Sequence, residues 1–220
     1  MLKSEEVEPA GRACCQSVTG SASELLTRSD TMLNILIVYT KNDKAINLIK
    51  SSLRKRDIKF KCIERSRLNK SAFRNKNLII AVGGDGTFLR ASHFVKNELL
   101  LGVNSDPKTK EGFFMSSCKN DFDKKLELFL NHKFFVEKHT RLKSKINKKE
   151  ICLALNEVFI GNKIPYKTSL YKIFFNNKTE EQKSSGIIVS TGAGSNAWLR
   201  SAGVKPFSSC SKKFYFIVRE

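Results

Sequence analysis

Long hydrophobic runs are missing from this 220-residue chain. No stretch approaches the roughly 20 apolar residues that a membrane-spanning helix needs, so no membrane partner is expected. The start has no apolar signal core, and Glu5, Glu6 and Glu8 are foreign to an acid-poor transit peptide. A cytoplasmic protein is the expectation. Cys14, Cys15, Cys62, Cys118, Cys152 and Cys210 form no C-x-x-C pair and no zinc spacing. His93, His132 and His139 make no ligand pair either, so no side-chain metal cluster is expected and the thiols should be reduced. Acids are scarce, 21 against 40 Lys and Arg, which leaves a net charge of +19. Such a surplus raises nucleic-acid binding as a class. Yet Arg54-Lys55-Arg56, Lys148-Lys149 and Lys212-Lys213 are short and scattered, without the clustered aromatics of a strand-binding groove. A solvated, lysine-biased surface with a general attraction for anionic nucleotides accounts for the charge, and no specific nucleic-acid partner is expected.

What the chain does contain is a change of pattern. Residues 1–31 are rich in Ser, Thr, Gly, Ala and Glu without sustained periodicity, and a disordered or weakly ordered tail is expected there. Residues 32–131 alternate apolar runs with helical periods. Leu33 to Tyr39 reads as a central strand, and Asn42 or Asp43 can cap a helix with Ala45, Ile46, Ile49 and Leu53 on one face. Strands at Lys59 to Ile63, Leu78 to Val82 and Leu99 to Val103 follow, and Asp121 can cap a helix carrying Phe122, Leu126, Phe129 and Leu130. This is the grammar of a parallel α/β sheet with crossover connections. Residues 132–220 are different: closely spaced β-branched or alternating segments, without helical periods between them, predict a β-rich, sandwich-like second domain.

The stretch that organises the chain is Leu78-Ile79-Ile80-Ala81-Val82-Gly83-Gly84-Asp85-Gly86-Thr87. An apolar run closed by glycines, with helical spacing from Phe88 to Val95, places Gly83, Gly84 and Gly86 at a strand-to-helix turn. Glycines permit close backbone approach to a ligand, and helix-start N–H groups attract phosphate. Asp85 is the odd member, because a carboxylate beside a phosphate cradle is repelled unless it holds a metal or takes a proton. The bland reading is a turn favoured for conformational reasons alone.

Two stretches of the second domain bear on the substrate. Asn156-Glu157 interrupts the apolar strand Leu153 to Ile160, and polar groups in mid-strand need a partner: a ligand, a backbone contact or a bulge. Carboxylates accept ribose hydroxyls and an amide can pair with an adenine edge; the alternative is an edge-strand surface patch. The second stretch is Ser185-Gly186-Ile187-Ile188-Val189-Ser190-Thr191-Gly192-Ala193-Gly194-Ser195-Asn196-Ala197-Trp198. From Gly192 to Ala197 it matches the G-x-G-x-x-A of dinucleotide-binding dehydrogenases, with Glu220 at about the expected separation. Gly203 and Pro206 leave little room for the long crossover helix that reading needs.

Gly83 to Thr87, Gly102 to Asn104, Asn156-Glu157 and Ser190 to Ser195, in that order, resemble the motif set of the NAD kinase family. The loop Asn104 to Pro107 with Glu111 to Phe113 is similar to the branch that includes mitochondrial-type members. The resemblance implies phosphoryl transfer from ATP, with Mg²⁺, to the adenosine 2′-hydroxyl of NAD, a site between two domains, and homo-oligomers. It makes Asp85 the catalytic aspartate, near which Mg²⁺ would bind, and Gly83, Gly84, Gly86 and Thr87 the phosphate cradle. It implies NAD-binding roles for Phe113, Asn156, Glu157, Thr191, Ser195, Asn196, Ala197, Trp198 and Ser201. Three departures stand out. Ser185 occupies a position where many members have Asp, Trp198 one where many have Tyr, and relatives continue past Glu220, so the second domain is expected to be incomplete. A lipid or small-molecule kinase with the same glycine-aspartate turn, or a non-catalytic NAD-binding module, are the alternatives.

Overall fold

A strand that is apolar at every position needs cover on both faces, and the elements around it provide that cover. The structure, a computed structural model, describes residues 9–14, 33–41, 43–151, 153–164 and 166–220. By internal contacts it divides into a unit built on Gly11–Lys138 and a unit built on His139–Glu220. In the first, β1 (Pro9–Cys14), β2 (Ile35–Tyr39), β3 (Phe60–Glu64), β4 (Leu78–Gly83) and β5 (Leu99–Asn104) lie in one sheet, in the order β3-β2-β4-β5-β1. Every pairing along it is parallel, as is that of the short β6 (Ser117–Cys118) with the end of β5. The tail expected over residues 1–31 falls largely outside the described residues; within it, Ala13 of β1 pairs with Leu100.

Helix α1 (Ala45–Arg54) buries Ala45, Ile46, Ile49 and Leu53, the residues its 3.6-residue period selects. Asp43 supports its start by accepting the Ala45 N–H at 3.0 Å. One face of the sheet, including Ile35, Ile37, Leu78, Ile80, Val82, Leu101 and Val103, shares a core with α1 and with Phe122, Leu126 and Phe129 of a later helix. Alternate residues point the other way, and Leu36, Val38, Ile79, Ala81 and Leu100 are buried as well. Helix α2 (Asp85–Ser92) lies against β4 and β5. In α3 (Phe122–Leu130), Asp121 precedes the first turn but its side chain does not cap it. Its Oδ1 accepts from Ser117 Oγ at 2.8 Å and Cys118 N at 2.7 Å, and so ties β6 to the helix start.

Strand order places the glycine turn. From β2 the chain moves outward to β3, then returns across β2 to β4, so the winding direction reverses between β2 and β4. In open parallel sheets the crevice outside the carboxyl ends at such a reversal is where ligands bind. Gly83 ends β4 at that edge.

Strand β7 (Val136–Thr140) carries the chain into the second unit. There β8 (Lys145–Ile146) and β9 (Lys149–Glu150) form a small hairpin. Strands β10 (Glu157–Gly161), β13 (Gly186–Thr191) and β14 (Phe214–Arg219) form an antiparallel sheet in the order β10-β13-β14. Strands β11 (Ser169–Phe175) and β12 (Lys178–Ser184) form a separate hairpin. Its two-residue turn, Asn176-Asn177, has φ of 48° and 60°, the left-handed pair that a tight hairpin requires. Because β13 runs antiparallel to both neighbours and is followed only by a short turn and the four-residue α4 (Trp198–Ser201), the G-x-G-x-x-A stretch is not part of a dinucleotide-binding β-α-β unit. No helix among the described residues is long and apolar enough to cross a membrane.

Candidate functional site

Where β4 meets α2, side chains of neighbouring elements close in on the glycines. Gly83 has φ of +155°, and a Cβ on it would lie 2.5 Å from Thr87 Oγ1. That hydroxyl is 3.0 Å from Thr40 Oγ1, a hydrogen bond joining the residue after β2 to the first turn of α2. Gly84 O accepts the N–H of Thr87 at 2.8 Å and of Phe88 at 3.3 Å, closing the first turn of α2. Asp85 is the first helical residue, where the partial positive charge of the helix end favours a carboxylate.

The Asp85 carboxylate is bound at both oxygens. Phe113 N donates to Oδ2 at 3.0 Å and Phe114 N to Oδ1 at 2.8 Å. Two backbone donors thus stabilise the charge that looked anomalous beside a glycine cradle. Aromatic stacking supports the same loop: Phe114 stacks on Phe88 with centroids 5.1 Å apart, and Phe113 meets Phe114 edge-on at 4.9 Å. Phe113 itself remains 46% exposed beside Asp85. Close approach by the loop explains two further glycines. A Cβ at Gly102 would lie 2.5 Å from Phe114 O, and Gly112 turns with φ of +73°.

Two cations at this turn were not singled out from the sequence. The Lys110 stem passes over Gly84, with Cδ 3.2 Å from where a Cβ would be, and its ammonium bonds Ser105 Oγ. Arg65, just past β3, places Nη1 3.4 Å from the corresponding point on Gly86. Only the polarity of the loop after β5 hinted at Lys110; nothing local in Arg65-Ser66-Arg67 pointed to the turn.

In the second unit, pairing of β10 with β13 sets Glu157 opposite Ser190 and brings the two polar motifs together. Asn156 O accepts from Thr191 N at 2.9 Å and Ser190 Oγ at 3.4 Å. Thr191 Oγ1 donates to Leu155 O at 2.6 Å and accepts from Gly194 N at 3.0 Å. Ser195 Oγ donates to Gly192 O at 2.7 Å and accepts from Phe207 N at 3.0 Å. Thr191 and Ser195 are therefore buried braces of the turn. They hold it against Asn156, whose carbonyl lies 2.5 Å from where a Gly194 Cβ would be.

The side chains that this frame presents are unsatisfied. Asn156 Oδ1 and Glu157 Oε2 are buried without a hydrogen-bond partner among the described residues. Burial raises the Glu157 carboxyl above its ordinary pKa. Phe159, on the same side of β10 as Glu157, packs against Trp198 with the rings tilted by 36° and centroids 4.9 Å apart, both residues about two-fifths exposed. Ala197 separates the Gly194–Asn196 turn from α4. Asn196 and Ser201 are exposed, and no hydrogen bond joins either to Asn156 or Glu157.

A parallel α/β unit whose glycine-aspartate turn lies at the winding reversal, where such sheets bind ligands, is followed by an antiparallel unit with an orphaned Asn-Glu pair. The family model for the ATP-NAD kinase N-terminal domain matches residues 18–134, just over half of the chain. The chain belongs to the ATP-NAD kinase family. It is 30% identical over 202 residues to a probable NADH kinase of Oryza sativa subsp. japonica, covering 80% of this chain and 61% of that protein. To the mitochondrial NAD kinase 2 of Homo sapiens it is 28% identical over 206 residues, covering 73% and 46%. An NAD kinase from Archaeoglobus fulgidus, solved in complex with ATP, superposes with a TM-score of 0.71 at 25% identity, covering 84% of this chain and 72% of the other. The chain thus spans about half to three-fifths of the length of these two sequence relatives.

Proposed function

We propose that this chain transfers the γ-phosphoryl group of ATP to the 2′-hydroxyl of the adenosine ribose of NAD, giving NADP and ADP. The observation that carries this reading is the pair of buried, partnerless oxygens, Asn156 Oδ1 and Glu157 Oε2, packed against the Ser190 to Ser195 turn. Orphaned acceptors of this kind cost desolvation that a ligand's donors offset. An adenine amine suits the amide oxygen, and ribose hydroxyls suit the carboxylate. The exposed Trp198 and Phe159 rings offer flat apolar surface to a base or nicotinamide ring.

In the reaction the 2′-oxygen attacks the γ-phosphorus while the bond to the β,γ-bridging oxygen breaks and ADP leaves. Asp85 orients the hydroxyl and accepts its proton, then returns it to solvent. A carboxylate is a weak base. It suffices because phosphoryl transfer depends chiefly on positioning and charge stabilisation. The glycine turn admits the donor phosphates. After two N–H bonds, Asp85 keeps about two of its four acceptor positions, enough for one bond to Mg²⁺, an ion commonly held by one or two carboxylates plus phosphates. Mg²⁺ brought with ATP would neutralise developing phosphate charge.

Incubation with Mg-ATP and NAD tests the reading: NADP formation is expected, and NAD binding without NADP would leave only a binding module. The homo-oligomer rests on the family resemblance, and the cytoplasmic compartment on the acidic start of the sequence and on free thiols such as Cys62 and Cys118. Cell fractionation and light scattering check them, and recovery in the mitochondrial fraction or a monomer mass would overturn them.

A further inference from the structure

Two cations, Lys110 and Arg65, converge on the glycine turn. Lys110 has three N–H donors. One goes to Ser105 Oγ, which lies 3.4 Å from Gly83 O, so the ammonium is coupled to the turn itself. Asp43 Oδ2 lies 3.7 Å from Nζ, a distance for charge attraction but too long for a hydrogen bond. Asp43 is fixed: its side chain is 8% exposed and its other oxygen accepts the first N–H of α1. Lys110 is therefore anchored by its stem over Gly84 and its head at Ser105, and is still 38% exposed. On the other side, exposed Arg65 reaches Gly86 from the carboxyl end of β3 and has no ion pair with another described residue. Strands β3, β4 and β5 thus each deliver one part, Arg65, the glycine turn and Lys110, to the same edge of the sheet.

We infer that Lys110 and Arg65 grip the phosphate chain of the donor nucleotide from either side of the Gly83 to Gly86 turn, a role that rests on the phosphoryl-transfer reading and names the residues behind it. Their chemistry divides the work. Lys110, a compact charge pre-set by Ser105 and Asp43, meets one phosphate as a point charge. Arg65, a planar fork, takes another with two parallel bonds. Glycine at 84 and 86 matters here for access, since a Cβ would meet the Lys110 stem at 3.2 Å and Arg65 Nη1 at 3.4 Å.

The test is affinity measured by calorimetry for ATP, ADP and AMP, each with Mg²⁺, on the full chain and on Lys110→Gln and Arg65→Gln. Wild type should bind ATP more tightly than ADP and ADP more tightly than AMP. Each variant should lose about tenfold for ATP while AMP and NAD affinity stay within twofold, the scale of one charged hydrogen bond. Lys110→Arg should recover most of the loss. Arg65 is exposed, so its variant folds even if freeing Asp43 weakens the Lys110 one. Equal ATP affinity in wild type and both variants, no dependence on phosphate number, or an equal loss for AMP would overturn the inference. NADP formation is scored separately: graded donor affinity without NADP leaves this grip standing and removes the kinase reading, whereas NADP formation with ATP affinity untouched in both variants does the reverse.

Discussion

Replacing Asp85 by Asn separates holding a loop from performing chemistry. The carboxylate accepts two backbone N–H bonds, 3.0 Å from Phe113 and 2.8 Å from Phe114. An amide of the same shape accepts one and turns its NH₂ toward the other donor. One charge-assisted bond is lost, worth about 1.5–3 kcal/mol. At about 2–4 °C per kcal/mol for a chain of this size, the thermal midpoint should fall by about 3–12 °C. If Asp85 also accepts the hydroxyl proton, turnover should drop by about 10²–10⁴ while NAD affinity stays within a few-fold. Thermal melts, calorimetry with NAD and a coupled assay for NADP read the three quantities on one preparation. An unchanged midpoint refutes the loop clamp. A lowered midpoint with near-wild-type turnover refutes the proton role and leaves Asp85 a structural clamp.

Glu157→Gln probes the nucleoside pair. Burial raises the Glu157 carboxyl, so the folded chain keeps this proton where the unfolded chain has lost it. The stability linked to this group is full below the ordinary carboxyl range and is lost as pH rises through the raised value. The variant should flatten that decline in melts taken upward from the ordinary carboxyl range, and an unaltered slope would contradict the assignment. It should also weaken NAD binding by about 1.5–3 kcal/mol, and unchanged affinity would return the pair to a plain surface role. Gly194→Ala would press a Cβ to 2.5 Å from the Asn156 carbonyl and Ser190 Oγ. Overpacking of this kind costs about 1–3 kcal/mol. Both midpoint and NAD affinity should fall, and a variant with wild-type values would show that Asn156 does not depend on the turn.

Sequence reasoning reached the elements whose periodicity is imposed by burial. Ala45, Ile46, Ile49 and Leu53 could be read as one helix face, and Leu78 to Val82 as a strand covered twice, because apolar residues there have no other place. Strand β12, Lys178–Ser184, was not legible: its residues are largely exposed, and pairing with β11 and a left-handed Asn176-Asn177 turn make it a strand. Asp121 carried a helix-cap signature, but two nearer donors in β6 claimed its carboxylate. In the site, the glycine turn and the Asn-Glu pair were visible because glycine runs and polar pairs inside apolar runs violate local preference, although the strand expected over Leu153 to Ile160 starts only at Glu157. Thr191 and Ser195 carry the expected positions, yet both hydroxyls are spent on backbone carbonyls and N–H groups. Lys110 and Arg65 resemble the other basic residues of a strongly cationic chain, and only strand order brings them to one turn.

The proposed reaction turns on one oxygen, the 2′-hydroxyl of the adenosine ribose. An NAD analogue lacking only that hydroxyl keeps the adenine, pyrophosphate and nicotinamide riboside, so it should bind with a loss of about 1.5–3 kcal/mol at most. Offered with Mg-ATP beside authentic NAD, the analogue should yield no phosphorylated product while NAD gives NADP. Phosphate transferred to the 2′-deoxy analogue, or hydride chemistry on its nicotinamide ring, would contradict the account.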